Sequence, residues 1–258
     1  MDQRQQFQDS GYLLLRGFVA DAAVAQLRGI VERIFQQWLA ANRSIGIEQR
    51  LVNMHSLTSP VYFRKRFAER IALFNLIAGE TLTAQIDAVF GPDIYFHNTQ
   101  LFFNPLAPRL PYWHRDLQYS GRGEAEQQRL LTTRLDLHVR LPLLPERGFE
   151  LIPGSHRRWD DAHERAVRLE LDGLRNSDDL PNSRRFDLQP GDVLIFHAHM
   201  LHRGNYALNT ERRGFDICLG ASKPAPIAGP EPALLPEREE LPFIRFPQWY
   251  SRARSLAR

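Results

Sequence analysis

Apolar positions recur at helical spacing in the first third of the chain and at strand spacing beyond it. Val24, Leu27, Val31, Ile34, Phe35 and Trp38 share one side of a 3.6-residue helix, with Asp21 placed to cap its start. Ahead of it, Gly11-Tyr12-Leu13-Leu14-Leu15 reads as a short buried strand. A second helical stretch is predicted over 60–90, broken near Gly79 and ended by Gly91-Pro92. From there the period changes to two. Residues 94–103 are rich in aromatic and β-branched side chains. Over 132–141, Leu135, Leu137, Val139 and Leu141 alternate with Arg134, Asp136, His138 and Arg140. Further strands are predicted at 150–152, 185–188, 193–196 and 215–219, separated by Pro153-Gly154-Ser155 and Pro190-Gly191-Asp192. Short strands with Gly/Pro turns indicate a sandwich or barrel, interrupted by a polar insertion at 120–131 and another at 156–183 with a helix over 161–169. The expected organisation is one domain over 1–258: a mostly helical part at 1–91, a barrel core at 92–222 and a C-terminal extension at 223–258. That extension opens with a Pro-rich excursion, 224–236, and continues to Phe243, Phe246, Trp249 and Tyr250.

Composition narrows the function classes. At 258 residues and 43% hydrophobic, the chain can fill a core and is not a disordered segment. No apolar run approaches the roughly 18 residues of a membrane helix, and the N-terminus shows no apolar leader, so a cytoplasmic protein is expected. The single cysteine, Cys218, excludes an internal disulfide framework and a Cys-rich zinc site. The formal charge is +3, and the only lysines are Lys65 and Lys223. The arginines are interspersed with acids, with a few gathered at Arg245, Arg252, Arg254 and Arg258. That pattern builds no basic face for nucleic acid. The expected partners are small molecules, and the expected state is a monomer or homodimer.

The chemistry concentrates at Trp113-His114-Arg115-Asp116. In an extended segment, residues two apart point the same way, so His114 and Asp116 can share one ion. A third ligand comes from elsewhere, and the candidate is His202, at the end of a run that also holds His197 and His199. Two imidazoles and a carboxylate on one face make the facial triad of non-heme Fe(II) oxygenases. It leaves room for a 2-oxo acid and dioxygen. His-x-Asp alone is a weak signal. Arg213 strengthens it, standing eleven residues after His202, because a guanidinium fork holds a carboxylate bidentately. Arg212 competes with Arg213, and strand alternation lets only one of them point inward. The alternating face Arg134, Asp136, His138, Arg140 has two readings. The favoured one is a solvated outer face whose charges pair. The other turns Arg134 or Arg140 into a pocket to bind an anionic substrate, with Asp136 as a partner. Trp113, Gln118 and Tyr119 flank the motif as core or as substrate wall. His156 reads as packing, and His55 and His163 as surface.

These motifs together resemble the phytanoyl-CoA dioxygenase family of Fe(II)/2-oxoglutarate oxygenases. The matching residues are Gly11-Tyr12, Trp113-His114-Arg115-Asp116, Gly148-Phe149-Glu150-Leu151-Ile152-Pro153-Gly154-Ser155-His156, Pro190-Gly191-Asp192-Val193-Leu194-Ile195-Phe196-His197, and His202 with Arg213. The resemblance implies a mainly β fold with flanking helices, built on a double-stranded β-helix (jelly-roll, cupin-like) core. It implies Fe(II) at His114, Asp116 and His202, 2-oxoglutarate as cosubstrate, and Arg213 on that cosubstrate's far carboxylate. Family members often carry Ser or Thr two residues after the distal histidine, where this chain has Gly204. The missing hydroxyl contact then falls to Thr133 or Asn98. Asn98, in His97-Asn98-Thr99-Gln100, occupies a place where ectoine-hydroxylase-like members carry an amide-bearing Gln. Related halogenases have a small residue where Asp116 stands, so Asp116 points to hydroxylation. The activity implied is hydroxylation of a small-molecule metabolite, with dioxygen consumed and 2-oxoglutarate decarboxylated to succinate. The alternatives are a non-catalytic metal- or ligand-binding barrel, or desaturation, cyclisation or epimerisation at the same iron. The arginines suggest a carboxylate- or phosphonate-bearing substrate, chosen by residues 51–66, 118–132, 160–183 and the C-terminal aromatics.

Overall fold

The computed structural model describes residues 2–224, 226 and 228–257. Residues 225 and 227 of the Pro-rich excursion, and Arg258 of the arginine tail, lie outside these. A short helix α1 (Gln3–Ser10) is capped by the Asp2 side chain and ends at Gly11, whose φ of 81° suits glycine. Any Cβ at Gly11 would also fall 2.5 Å from His156 Nδ1 and 2.6 Å from Met200 Sδ. Strand β1 (Tyr12–Leu15) follows, then the long helix α2 (Asp21–Glu48), which buries Val24, Leu27, Val31, Ile34 and Phe35 as its periodicity requires. Ala20 holds the cap position, and Asp21 sits in the first turn, where its charge suits the exposed N–H groups. Strand β2 (Asn53–His55) precedes helices α3 (Phe67–Ile77) and α4 (Glu80–Phe90), which break at Ala78-Gly79 and end at Gly91.

The strand region comprises β3 (Ile94–Phe102), β4 (Asp136–Pro142), β5 (Glu146–Leu151), β6 (Arg184–Leu188), β7 (Val193–His197), β8 (His202–Arg203) and β9 (Gly214–Ala221). They form a six-stranded antiparallel sheet in the order β1-β7-β4-β9-β3-β2 and a three-stranded one in the order β6-β5-β8. Among the described residues the two sheets do not close into one hydrogen-bonded barrel. An isolated bridge between His114 and His202 ties the motif segment to β8. Both polar insertions are partly helical: α5 (Glu124–Thr133), and α6 (Ala162–Arg168), which Asp161 and Glu164 start with a capping box. Helix α5 thus takes the residues expected to begin a strand at 132, and β4 begins at Asp136. Helix α7 (Gln248–Leu256) buries Trp249 and Tyr250.

One face of the larger sheet is apolar. Leu137, Val139, Leu141, Phe215, Ile217 and Leu219 pack with α2, α3, α4 and α7 in a single core cluster. The other face is the charged one, and it is largely buried as well: Arg134, His138, Arg140 and Asp216 are buried and Asp136 is half-buried. The favoured reading of that face as solvated is therefore corrected. Alternation separates two faces, and the helices decide which is covered by apolar packing; the polar one here looks into the space between the sheets.

Candidate metal centre

The extended backbone of 113–116 puts His114 and Asp116 on one side and Arg115 on the other. Arg115 is fully buried and anchors the segment, donating to Asp160 at 2.7 Å and to the carbonyls of Ser155, His199 and Arg158. Across the bridge, His114 N–H donates to the His202 carbonyl and His202 N–H to the His114 carbonyl, both at 3.1 Å. This register sets the two imidazole rings 4.1 Å apart. His114 Nδ1 lies 3.2 Å from the Tyr112 carbonyl and His202 Nδ1 lies 2.9 Å from the Met200 carbonyl. A carbonyl only accepts, so Nδ1 carries the proton in each ring and Nε2 presents its lone pair. The two Nε2 atoms lie 3.8 and 3.7 Å from Asp116 Oδ1. One ligand atom from each of the three residues lies within 4.8 Å of the other two.

The electrostatics suit a divalent cation. Burial pushes both His114 and His202 below the ordinary histidine range, keeping them neutral. Burial alone would raise the Asp116 carboxyl, but His138, through its charge and its hydrogen bond, holds it well below the usual carboxylate range. His138 Nε2 lies 2.7 Å from Asp116 Oδ2, leaving Oδ1 to face the imidazoles. His138 Nδ1 in turn meets Asp216 Oδ2 at 2.9 Å, and Arg140 donates to both Asp216 oxygens at 2.8 and 2.9 Å. Burial opposes a charged imidazole at His138; the Cys218 sulfur and the carboxylates of Asp116 and Asp216 outweigh it and raise its proton affinity. The Asp216 carboxyl, despite burial, is lowered to about 2 by Arg140 and His138. The chain Arg140–Asp216–His138–Asp116 was not foreseen, because its members meet only once β4 and β9 are paired. A neutral His pair and an ionised carboxylate with one oxygen already clamped, their ligand atoms within 4.8 Å of one another, fit a ferrous ion.

The other expected residues scatter. Arg213 stands on the helical side of the sheet, with Nε 2.8 Å from Glu32, Nη2 2.8 Å from Glu211 and its Cζ 4.2 Å from the Phe35 ring centre. The expected inward guanidinium is instead the neighbour, Arg212. Only 2% exposed, it gives Nε to Glu146 at 2.7 Å. Its Nη2 and Nη1 lie 2.6 and 2.8 Å from where a Cβ on Gly204 would stand. The guanidinium therefore fills the place of a Ser or Thr side chain at 204. Thr133 is exposed on α5, its hydroxyl donating back to the Arg129 carbonyl, so it does not replace that hydroxyl. Asn98, on β3 across from Cys218, spends its amide on Ser56 Oγ and the Thr99 N–H. His197 and His199 are engaged with the Arg134 carbonyl and with Asp136, away from the ligand position.

Trp113 is buried, its indole N–H donating to the Asp178 carbonyl, and is core rather than wall. Gln118 accepts from the Arg115 N–H. Tyr119 is 62% exposed, with its ring 5.9 Å from that of His114. Together with His97, Gln100, Asp116, Arg134 and Asp136 it lines a cavity of about 420 Å³. Arg134 pairs there with Asp136 at 3.4 Å.

Known proteins provide the context. A family model described as phytanoyl-CoA dioxygenase (PhyH) matches residues 7–214. No curated protein matches the sequence. Among solved structures, HygX from Streptomyces hygroscopicus with nickel and 2-oxoglutarate bound superposes with a TM-score of 0.59 at 15% identity, covering 85% of this chain and 87% of that one. AviO1 from Streptomyces viridochromogenes Tue57 does so with a TM-score of 0.57 at 18% identity, covering 86% and 95%. SnoK, a non-heme alpha ketoglutarate dependent carbocyclase from nogalamycin biosynthesis, gives 0.56 at 14% identity over 85% and 83%. At these identities the likeness is one of fold. Among the described residues, no helix is long and apolar enough to cross a membrane.

Proposed function

This chain belongs to the phytanoyl-CoA dioxygenase family of Fe(II)/2-oxoglutarate-dependent enzymes, and from that premise we propose that it hydroxylates a small-molecule metabolite. His114, Asp116 and His202 hold the iron, and Arg212 holds the distal carboxylate of 2-oxoglutarate. The observation that carries this reading is the convergence of two neutral Nε2 atoms on one oxygen of an ionised Asp116. Iron with 2-oxoglutarate, when bound, supplies dioxygen activation coupled to decarboxylation to succinate and carbon dioxide.

The protein supplies geometry and charge. Both ligand imidazoles are fixed in tautomer and orientation by backbone carbonyls, and Asp116 is restricted to one free oxygen by His138. Arg212 is favoured over Arg140 as the carboxylate anchor by what each has left to give. All three nitrogens of Arg140 already meet Asp216 or Glu146. Among the described residues Arg212 commits only Nε, to Glu146, and its paired terminal nitrogens have the fork geometry a carboxylate takes. Asp116, a carboxylate rather than a small residue, favours transfer of oxygen over halide. The 420 Å³ cavity beside Asp116 offers Tyr119, Arg134 and Gln100 to orient a polar substrate and to keep bulk water off the reacting bond.

The test is succinate formation from 2-oxoglutarate during a screen of small metabolites. His114→Ala, Asp116→Ala and His202→Ala are each expected to lower it by at least about a thousandfold, since a missing first ligand removes the metal's function. Turnover that survives in all three variants contradicts the reading. A product heavier by one oxygen atom marks hydroxylation; an unchanged or dehydrogenated product contradicts it.

A further inference from the structure

A second cavity, of about 590 Å³, lies on the far side of Tyr112. Three guanidinium groups line it: Arg50 just after α2, Arg109 before the metal motif, and Arg175 in the insertion that follows α6. Arg50 and Arg175 are exposed and Arg109 is half-buried, and among the described residues none of the three pairs with a carboxylate. One acid, Glu170, lies among them, accepting the Asn176 N–H at 3.4 Å. The cavity thus carries a formal surplus of two positive charges, and gathering like charges without counterions is unfavourable.

The cavity is also mechanically joined to the metal centre. Arg109 donates Nη1 to the Arg50 carbonyl at 2.8 Å, and its Cζ lies 4.4 Å from the Tyr112 ring centre. The Tyr112 ring is 5.0 Å from that of His114 and is hydrogen-bonded to Tyr119, which borders the other cavity. The Asn176 carbonyl accepts the Trp113 N–H at 2.8 Å, so the loop bearing Arg175 is pinned to the segment that carries two of the metal ligands. The Tyr112 ring stands between Arg109 and His114.

We propose that this cavity receives the phosphate group of a phosphate monoester substrate whose reacting carbon lies over the metal centre. Two surplus positive charges match a phosphate dianion better than a carboxylate, and Asn176 and Ser177 add polar groups for the remaining oxygens. The placement of the reacting end rests on the oxygenase reading; the binding of phosphate does not.

The experiment has two arms. In the first, inorganic phosphate is titrated into the full chain loaded with nickel and saturated with 2-oxoglutarate, which keeps Arg212 occupied, and binding is followed by calorimetry. Arg109→Gln and Arg175→Gln are each expected to weaken phosphate about tenfold, the loss of one charge-assisted contact, with thermal melts confirming the fold. No phosphate binding to the wild type, an unchanged affinity in the double variant, or equal binding of acetate overturns the proposal. In the second arm, phosphate esters and their dephosphorylated parents are compared for stimulated 2-oxoglutarate consumption. The esters are expected to win, and Arg109→Gln to raise KM with kcat nearly unchanged. Parents that serve equally well overturn the phosphate site and leave the oxygenase reading intact. Phosphate binding as described, with no 2-oxoglutarate consumed by the iron-loaded protein with any compound, upholds the site and sinks the oxygenase reading.

Discussion

The two faces of the six-stranded sheet are made by the same strands and the same hydrogen-bond ladder, yet they do different work. Leu137, Val139, Ile217 and Leu219 look toward the helices and pack in the main core. Their immediate neighbours His138, Arg140, Asp216 and Cys218 look the other way and build the polar chain that ends on Asp116. The apolar face is tolerant, since a truncated side chain there loses its own packing and leaves its neighbours neutral. The charged face is interdependent, since removing one member strands a partner's charge out of water. Apolar packing and the buried polar chain that reaches Asp116 are thereby divided between the two faces of one sheet.

The division breaks most visibly at Asp216. Asp216→Ala leaves the buried Arg140 with Glu146 alone, at 3.4 Å, and is expected to cost about 3–5 kcal/mol in chemical unfolding. A loss under ~1 kcal/mol would mean that Glu146 by itself satisfies the guanidinium. Next come adjacent residues on opposite faces. Leu137→Ala is expected to cost about 2–3 kcal/mol of stability while leaving metal affinity, measured by chelator competition, unchanged. His138→Asn is expected to weaken metal binding at least about tenfold and to cost stability as well, because Asp116 and Asp216 lose their shared partner. If Leu137→Ala weakens metal binding too, the faces are not independent.

Acid provides a gentler probe. Asp216 is lowered from 3.8 to about 2, so its ionised form favours the fold. That contribution is complete above the unfolded value and is lost as pH falls through the folded one. The wild type is expected to lose about 2 kcal/mol between pH 4 and pH 2 from this group. Asp216→Asn removes that part of the slope; an unaltered slope assigns the acid sensitivity elsewhere. The smallest effect is Arg213→Met, which severs a pair with the part-exposed Glu32 and is expected to cost about 1 kcal/mol or less.

That His114 and Asp116 face the same way was legible because they sit two apart in one extended segment, where parity is local. The helices of the first third and the strands expected at 94–103 and 193–196 were legible from their own local composition and periodicity, and they lie at 94–102 and 193–197. Arg213 was misjudged because parity does not carry across a loop. Strand β8 ends at Arg203 and β9 begins at Gly214, so an offset counted from His202 does not say which of Arg212 and Arg213 faces inward. The charged face of β4 was misread because alternation reports two faces without saying which one the helices cover. Thr133 was assigned to a strand that α5 preempts, its run Glu124–Thr133 carrying buried Gln127, Leu130 and Leu131 at helical spacing. His138 and Asp216 carried no signal beyond their residue types, since their roles arise from the register of β4 against β9.

The inward turn of Arg212 and the outward turn of Arg213 are tested most directly by anaerobic calorimetry of 2-oxoglutarate binding to the iron-loaded protein. Arg212→Met is expected to weaken binding at least about tenfold, one charge-assisted carboxylate contact, and Arg213→Met to leave it unchanged. Weakening in Arg213→Met with full affinity in Arg212→Met would contradict the account.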